Sequence, residues 1–216
     1  MSVAHDSTQL FLSGAVGRLE AILWSPATGQ PAMAAVACHP HPLFGGTMHN
    51  KVVYNAAKAL DALGLAVLRF NFRGTGRSEG KHDKGVGEQD DVRTAIDFLA
   101  QEFPNLPLLV AGFSFGCWVG LRVGCEDMRA KLLIGLGAPV NSTDFSFLAQ
   151  CSKPKLFVHG ANDQFGDPAK LKSVVAAAAG ENSVVIVGDA DHFFAGKLDQ
   201  LNAAITAWMR EKNGAG

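Results

Sequence analysis

Short apolar runs alternate with stretches of helical spacing along most of the chain. Gln9-Leu10-Phe11-Leu12 and Leu19-Glu20-Ala21-Ile22-Leu23-Trp24 read as an antiparallel opening pair joined through Gly14 and Gly17, and Ala34-Ala35-Val36-Ala37-Cys38 as a central strand. Asn50 to Leu63 has Val53, Ala56, Ala57 and Leu60 on one helical face. A strand over Leu65–Phe70 follows, then a helix over Asp91–Phe103 through Val92, Ile96 and Leu99. Leu108-Leu109-Val110, after Pro107, is the continuous apolar run of a strand covered on both faces, and Cys117–Leu121 continues as a mostly apolar helix. The second half repeats the scheme. Strands are expected at Lys131–Leu136, Lys155–His159 and Ser183–Val187, a helix over Pro168–Ala179, and an amphipathic helix over Leu198–Met209. Residues 213–216 should fray. Repeated strand–helix units predict an α/β fold, a mainly parallel sheet with helices on both faces. No linker, repeat or low-complexity tract divides residues 1–216, so one domain is expected.

Composition narrows the class without naming a function. The 216 residues are 48% apolar and 18% charged, as in a globular chain with a substantial core. A net charge of −1, with no basic stripe, gives no reason to expect nucleic acid or an anionic membrane as partner. Cys38, Cys117, Cys125 and Cys151 form no C-x-x-C or metal-ligand pair, which suits reduced thiols; Cys117 reads as core packing. Met1–Gly14 lacks a basic segment followed by an apolar one, and the longest apolar runs (Ala32–Cys38 and Val174–Ala179) fall well short of the ~18 residues that span a bilayer. A cytoplasmic protein acting on a small molecule is expected. Nothing in the sequence sets its oligomeric state.

The chemistry concentrates at Gly112-Phe113-Ser114-Phe115-Gly116. The G-x-S-x-G pattern alone is common, but here it lies between a strand and a helix, a junction that projects the serine hydroxyl from the sheet edge. Such a hydroxyl needs a base, and the base needs a carboxylate to orient it. Two histidines follow Ser114. His159 lies inside a strand run, whereas His192 follows a strand and a turn and is the expected base. Asp163, directly after the strand ending at His159, is the expected acid. Asp167 reads instead as a helix cap, and Asp189 and Asp191 are too near His192 in sequence to face its ring. An oxyanion would take the Phe115 N–H and a second amide from His39-Pro40-His41-Pro42-Leu43-Phe44-Gly45-Gly46. Pro40 and Pro42 have none to give; Leu43 is preferred, with His41 the alternative. His39 and His41 could be a metal pair, but apart from Cys38 no carboxylate or cysteine is suitably spaced nearby. The glycine-rich Asn71–Gly80 has neither G-x-G-x-x-G nor P-loop spacing and reads as a structural turn beside the site.

These residues resemble the α/β-hydrolase superfamily over essentially the whole chain. His39-Pro40-His41-Pro42 with Gly45-Gly46, and Phe72-Arg73-Gly74 through Ser78, resemble the small bacterial hydrolases related to dienelactone hydrolase, although those enzymes use cysteine where this chain has Ser114. The resemblance implies a three-layer α/β/α sandwich with an eight-stranded, mostly parallel sheet, and a Ser-His-Asp triad. Many members insert a cap after the sixth strand. Here only Gly137–Pro154 is available, too little for one. The site should therefore be open, lined by whichever of Phe44, Phe115, Phe165, Phe193 and Phe194 face inward. The expected activity is hydrolysis of small carboxylic esters by Ser114, His192 and Asp163, with no cofactor or metal. An acyltransferase, thioesterase or peptidase using the same residues, or a non-catalytic binding protein, are the alternatives.

Overall fold

The computed structural model describes residues 5–214. Eight strands form one sheet: β1 (His5–Gly14), β2 (Gly17–Pro26), β3 (Ala34–Cys38), β4 (Ala66–Phe70), β5 (Leu108–Phe113), β6 (Ala130–Leu136), β7 (Lys155–Gly160) and β8 (Asn182–Val187). Their spatial order is β1-β2-β4-β3-β5-β6-β7-β8. β1 pairs antiparallel with β2, and β2 with β4; every later pairing is parallel. Five helices pack on the faces: α1 (Lys51–Asp61), α2 (Gly87–Glu102), α3 (Phe115–Glu126), α4 (Pro168–Ala176) and α5 (Leu198–Gly214).

The burial of successive side chains accounts for the unalternating apolar runs. Along β3, Ala34, Val36 and Cys38 face a core shared with α2, α3 and α4, while Ala35 and Ala37 face a second core shared with α1 and α5. β5 divides likewise, with Leu108 and Val110 on the first side and Leu109, Ala111 and Phe113 on the second. A strand with helices on both sides must be apolar on both, so period-two polarity vanishes from the centre of the sheet. It survives in part at β1, the edge strand, where Leu12 is buried and its neighbours are not.

The predicted elements are all present, with shifted ends. α2 begins at Gly87 rather than Asp91. Its added turn, Gly87-Glu88-Gln89-Asp90, carries no apolar periodicity; it is held by Glu88, whose carboxylate accepts from the Asp83 and Gly85 N–H groups at 2.8 and 2.7 Å. α4 stops at Ala176, three residues early. The Ala179 N–H instead donates to the Leu148 carbonyl, and Gly180 turns the chain at φ 75°. α5 is assigned through Gly214; of the segment 213–216 expected to fray, residues 215–216 lie outside the described residues. Between β6 and β7 there is only a short 3-10 turn, Ser146–Gln150, and no cap domain.

Candidate active site

The carboxyl ends of β3, β5, β7 and β8 meet at one edge of the sheet, the place where open α/β folds bind ligands. Ser114 sits between β5 and α3 with φ 55° and ψ −118°, a left-handed backbone that a residue with a Cβ adopts only under strain of about 1–3 kcal/mol. The surroundings hold it there. The Ser114 N–H donates to the Leu136 carbonyl at 2.9 Å, and its own carbonyl accepts from the Cys117 and Trp118 N–H groups. The flanking glycines are required by close approach: a Cβ on Gly116 would overlap the Cys38 and His39 carbonyls, and one on Gly112 the Gly116 carbonyl. The strained turn leaves the Ser114 side chain out of helix capping and directed into the site.

The structure brings together the three side chains that the sequence singles out. His192 Nε2 lies 3.0 Å from Ser114 Oγ, and His192 Nδ1 lies 2.8 Å from Asp163 Oδ2. With the carboxylate accepting from Nδ1–H, Nε2 is the acceptor presented to the serine hydroxyl. Asp163 is buried, and its other oxygen accepts from the Phe165 and Gly166 N–H groups at 2.8 and 3.2 Å. The rings of Phe113, Phe165 and Phe193 surround the imidazole, with centroids 4.9, 4.6 and 5.1 Å away. His159 is not brought to the serine. Fully buried, it has Nε2 2.6 Å from the Gly166 carbonyl and 3.6 Å from Asp163 Oδ2, behind the carboxylate. Asp167 caps α4, accepting from the Ala169 and Lys170 N–H groups.

The loop after β3 corrects one expectation. The Leu43 N–H donates to His41 Nδ1 at 3.2 Å, and its side chain is 70% exposed, away from the cleft. That amide is already engaged, within a 3-10 turn over Pro42–Phe44. Among the described residues the N–H groups of His41 and Phe115 have no acceptor, and both residues line the cleft with Ser114. The Leu43 hydrogen bond also fixes a neutral His41 as the Nε2–H tautomer. Burial, and after it the facing His82 ring, push His41 below the ordinary histidine value. His39 is fully engaged as well, which removes it as a metal ligand: its Nδ1–H donates to the Pro40 carbonyl at 2.6 Å and its Nε2 accepts from the Phe72 N–H at 2.9 Å.

Burial pushes His39 down to about 4, so it stays neutral in the fold. Unfolded, a histidine titrates near 6.5. Because the unfolded chain takes up this proton first, the contribution is complete above pH ~6.5 and falls by up to about 3 kcal/mol as the pH drops to ~4. Urea unfolding at pH 7 and pH 4.5 should therefore show wild type losing about 2–3 kcal/mol more than His39→Gln over that interval; equal losses would contradict the assignment.

The cleft has a volume of about 500 Å³. Phe44, Phe115, Phe165 and Phe193 line it; Phe194 does not, being fully buried in the core with α1 and α5. Sequence reasoning missed Asn50, Trp118, Pro139, Ser142 and Thr143, which complete the wall. Trp118 stands one helical turn after Ser114, and the last three follow β6 at the same sheet edge, so topology was the signal that could have found them. The lining contains no lysine or arginine and no carboxylate. Among the described residues no group of three or more His, Cys, Asp or Glu side chains is arranged to hold a metal ion, and no helix is long and apolar enough to cross a membrane. The glycine-rich turn packs beside the site, pinned by Arg73 on Asp91 and by Ser78 on the Asn71 carbonyl.

A family model described as "Alpha/beta hydrolase domain" matches residues 41–208. The chain is 39% identical over 210 residues to the uncharacterized protein RP471 of Rickettsia prowazekii (strain Madrid E), covering 93% of this chain and 88% of that one. It is 34% identical over 126 residues to a monoacylglycerol lipase of Mycolicibacterium smegmatis, covering 56% of this chain and 43% of the lipase. Among solved structures, XC6422 of Xanthomonas campestris, described as an α/β serine hydrolase without a lid, superposes with a TM-score of 0.88 at 36% identity, covering 95% of this chain and 94% of that one. An eight-stranded sheet with an uncapped cleft at its carboxyl edge, the family match and these relatives lead to one conclusion: the chain belongs to the α/β-hydrolase family.

Proposed function

We propose that the protein is a serine carboxylic-ester hydrolase. The reading rests above all on the line of contacts from Ser114 Oγ to His192 Nε2, 3.0 Å, and from His192 Nδ1 to Asp163, 2.8 Å. In this reading Ser114 Oγ attacks the ester carbonyl as His192 takes its proton. The Asp163 carboxylate stabilises the imidazolium so formed. The carbonyl oxygen, now negative, accepts from the Phe115 and His41 N–H groups, the former at the positive end of α3. His192 then protonates the leaving alcohol, and the acyl group remains on Ser114. Water, activated by the same imidazole, releases the acid.

The cleft lining supports a neutral, largely apolar acyl group. A free carboxylate on the substrate, as in a dienelactone, would find no cation among the lining residues. An ester bond is also what the lipase relative is named for acting on. A series of p-nitrophenyl esters tests the substrate class. Acetate and butyrate should be turned over, with kcat/KM falling for chains too long for a cleft of about 500 Å³. Activity on long-chain esters alone would overturn the small-ester reading. An added alcohol that outcompeted water for the acyl group would replace hydrolysis by transfer.

A further inference from the structure

Two of the four cysteines lie together far from the cleft. Cys125 is in the last turn of α3, the helix that starts at Ser114, and Cys151 follows the 3-10 turn Ser146–Gln150 on the connection into β7. Cys125 is half-buried and Cys151 buried, and both are free thiols. Cys151 belongs to the core cluster against which Cys125 packs, and the two thiols are close enough to act on each other's titration.

The backbone around them is drawn together independently. Lys153, two residues after Cys151, reaches across to α3 and donates to the Gly124 and Asp127 carbonyls, on either side of Cys125. Lys155, fully buried, donates to the carbonyls of Cys151, Lys153 and Ala179 at 2.6, 2.7 and 2.8 Å. Among the described residues neither ammonium has a carboxylate partner. The half-buried Lys153 and the buried Lys155, set beside the two thiols, favour a thiolate at Cys151, whereas Cys125 is pushed up, first by its interaction with Cys151 and then by burial. The Cys151 thiol is pulled down to about 6, first by the hydrogen bond from Cys125 and then, against its desolvation, by Lys155 and Lys153. Cys38 and Cys117 differ from Cys151: both are fully buried in the core and desolvation pushes both thiols up.

We propose that Cys125 and Cys151 form a redox-active dithiol that a hydroperoxide converts to an intrachain disulfide, tying the far end of the elbow helix to the connection into β7. One thiolate attacks the peroxide's terminal oxygen, giving a sulfenic acid and releasing the alkoxide, or hydroxide from hydrogen peroxide. The second thiolate attacks the sulfenic sulfur and displaces hydroxide, forming the S–S bond. Two thiols lose two electrons and two protons, and the peroxide is reduced to an alcohol, or water, plus water. Because the connection leads into the strand that ends before Asp163, the tether joins the supports of two active-site residues without touching either.

The test uses the reduced full chain and hydrogen peroxide near stoichiometry. Thiols counted in denaturant should fall from four to two, the intact mass should fall by two hydrogens, and dithiothreitol should restore both. A non-reducing digest should contain Cys125 linked to Cys151. In Cys125→Ser, checked for native circular dichroism, all three remaining thiols should escape disulfide formation, and dimedone should trap a sulfenic acid on Cys151. Four thiols surviving peroxide, a disulfide between two chains, or one involving Cys38 or Cys117 would each overturn the proposal.

Discussion

Replacing Ser114 with alanine is expected to lower turnover of p-nitrophenyl acetate by at least about 10³-fold and to abolish labelling by a fluorophosphonate, with little change in stability. The kinetic effect follows from Ser114 supplying, among the described residues, the hydroxyl beside the imidazole. Ser114 Oγ contacts His192 Nε2 at 3.0 Å, and without it the histidine has no nucleophile to activate. The small effect on stability follows from the turn, which is held by main-chain bonds and by the flanking glycines rather than by the Ser114 hydroxyl. Alanine meets the same φ of 55° that serine already tolerates. A variant that kept turnover within about tenfold of wild type would remove Ser114 from the mechanism.

Asp91→Ala is expected to cost about 3–5 kcal/mol of folding stability, the usual result of breaking a buried ion pair from one side. Asp91 is fully buried in α2 and accepts from the Arg73 side chain at 2.7 and 3.0 Å and from the Arg73 N–H at 2.9 Å. The variant leaves a buried guanidinium without its carboxylate. It also loosens the turn after β4, whose Phe72 N–H donates to His39 at the start of the loop after β3. Urea unfolding should show the loss, and Asp91→Asn, which keeps one acceptor oxygen for Arg73, should lose less. A loss under about 1 kcal/mol would mean that the turn is anchored elsewhere.

How far the sequence was readable depended on whether the deciding force was local. The elements of the parallel sheet were legible because burial on both faces leaves unbroken apolar runs such as Ala34–Cys38. Ser114, Asp163 and His192 were legible as neighbours because each directly follows a strand, or a strand and a tight turn, and parallel strands bring those positions to one edge. The first turn of α2 was not legible, since Glu88 holds it through polar contacts with Asp83 and Gly85 rather than through periodicity. Neither was the state of the Leu43 amide, which hangs on one side-chain bond from His41. His39 looked like a possible ligand beside His41, yet it is a buried pin between Pro40 and Phe72, a role that only long-range packing reveals. Spacing showed no link between Cys125 and Cys151, because the contact depends on Lys153 drawing the connection onto α3.

The most direct test of the account is to label the purified protein with a fluorophosphonate and map the adduct by peptide mass spectrometry. One adduct, on Ser114, lost in His192→Ala although that variant remains folded, is the predicted result. A folded protein that takes no label, or takes it on another residue, would contradict the assignment of Ser114 as a nucleophile activated by His192.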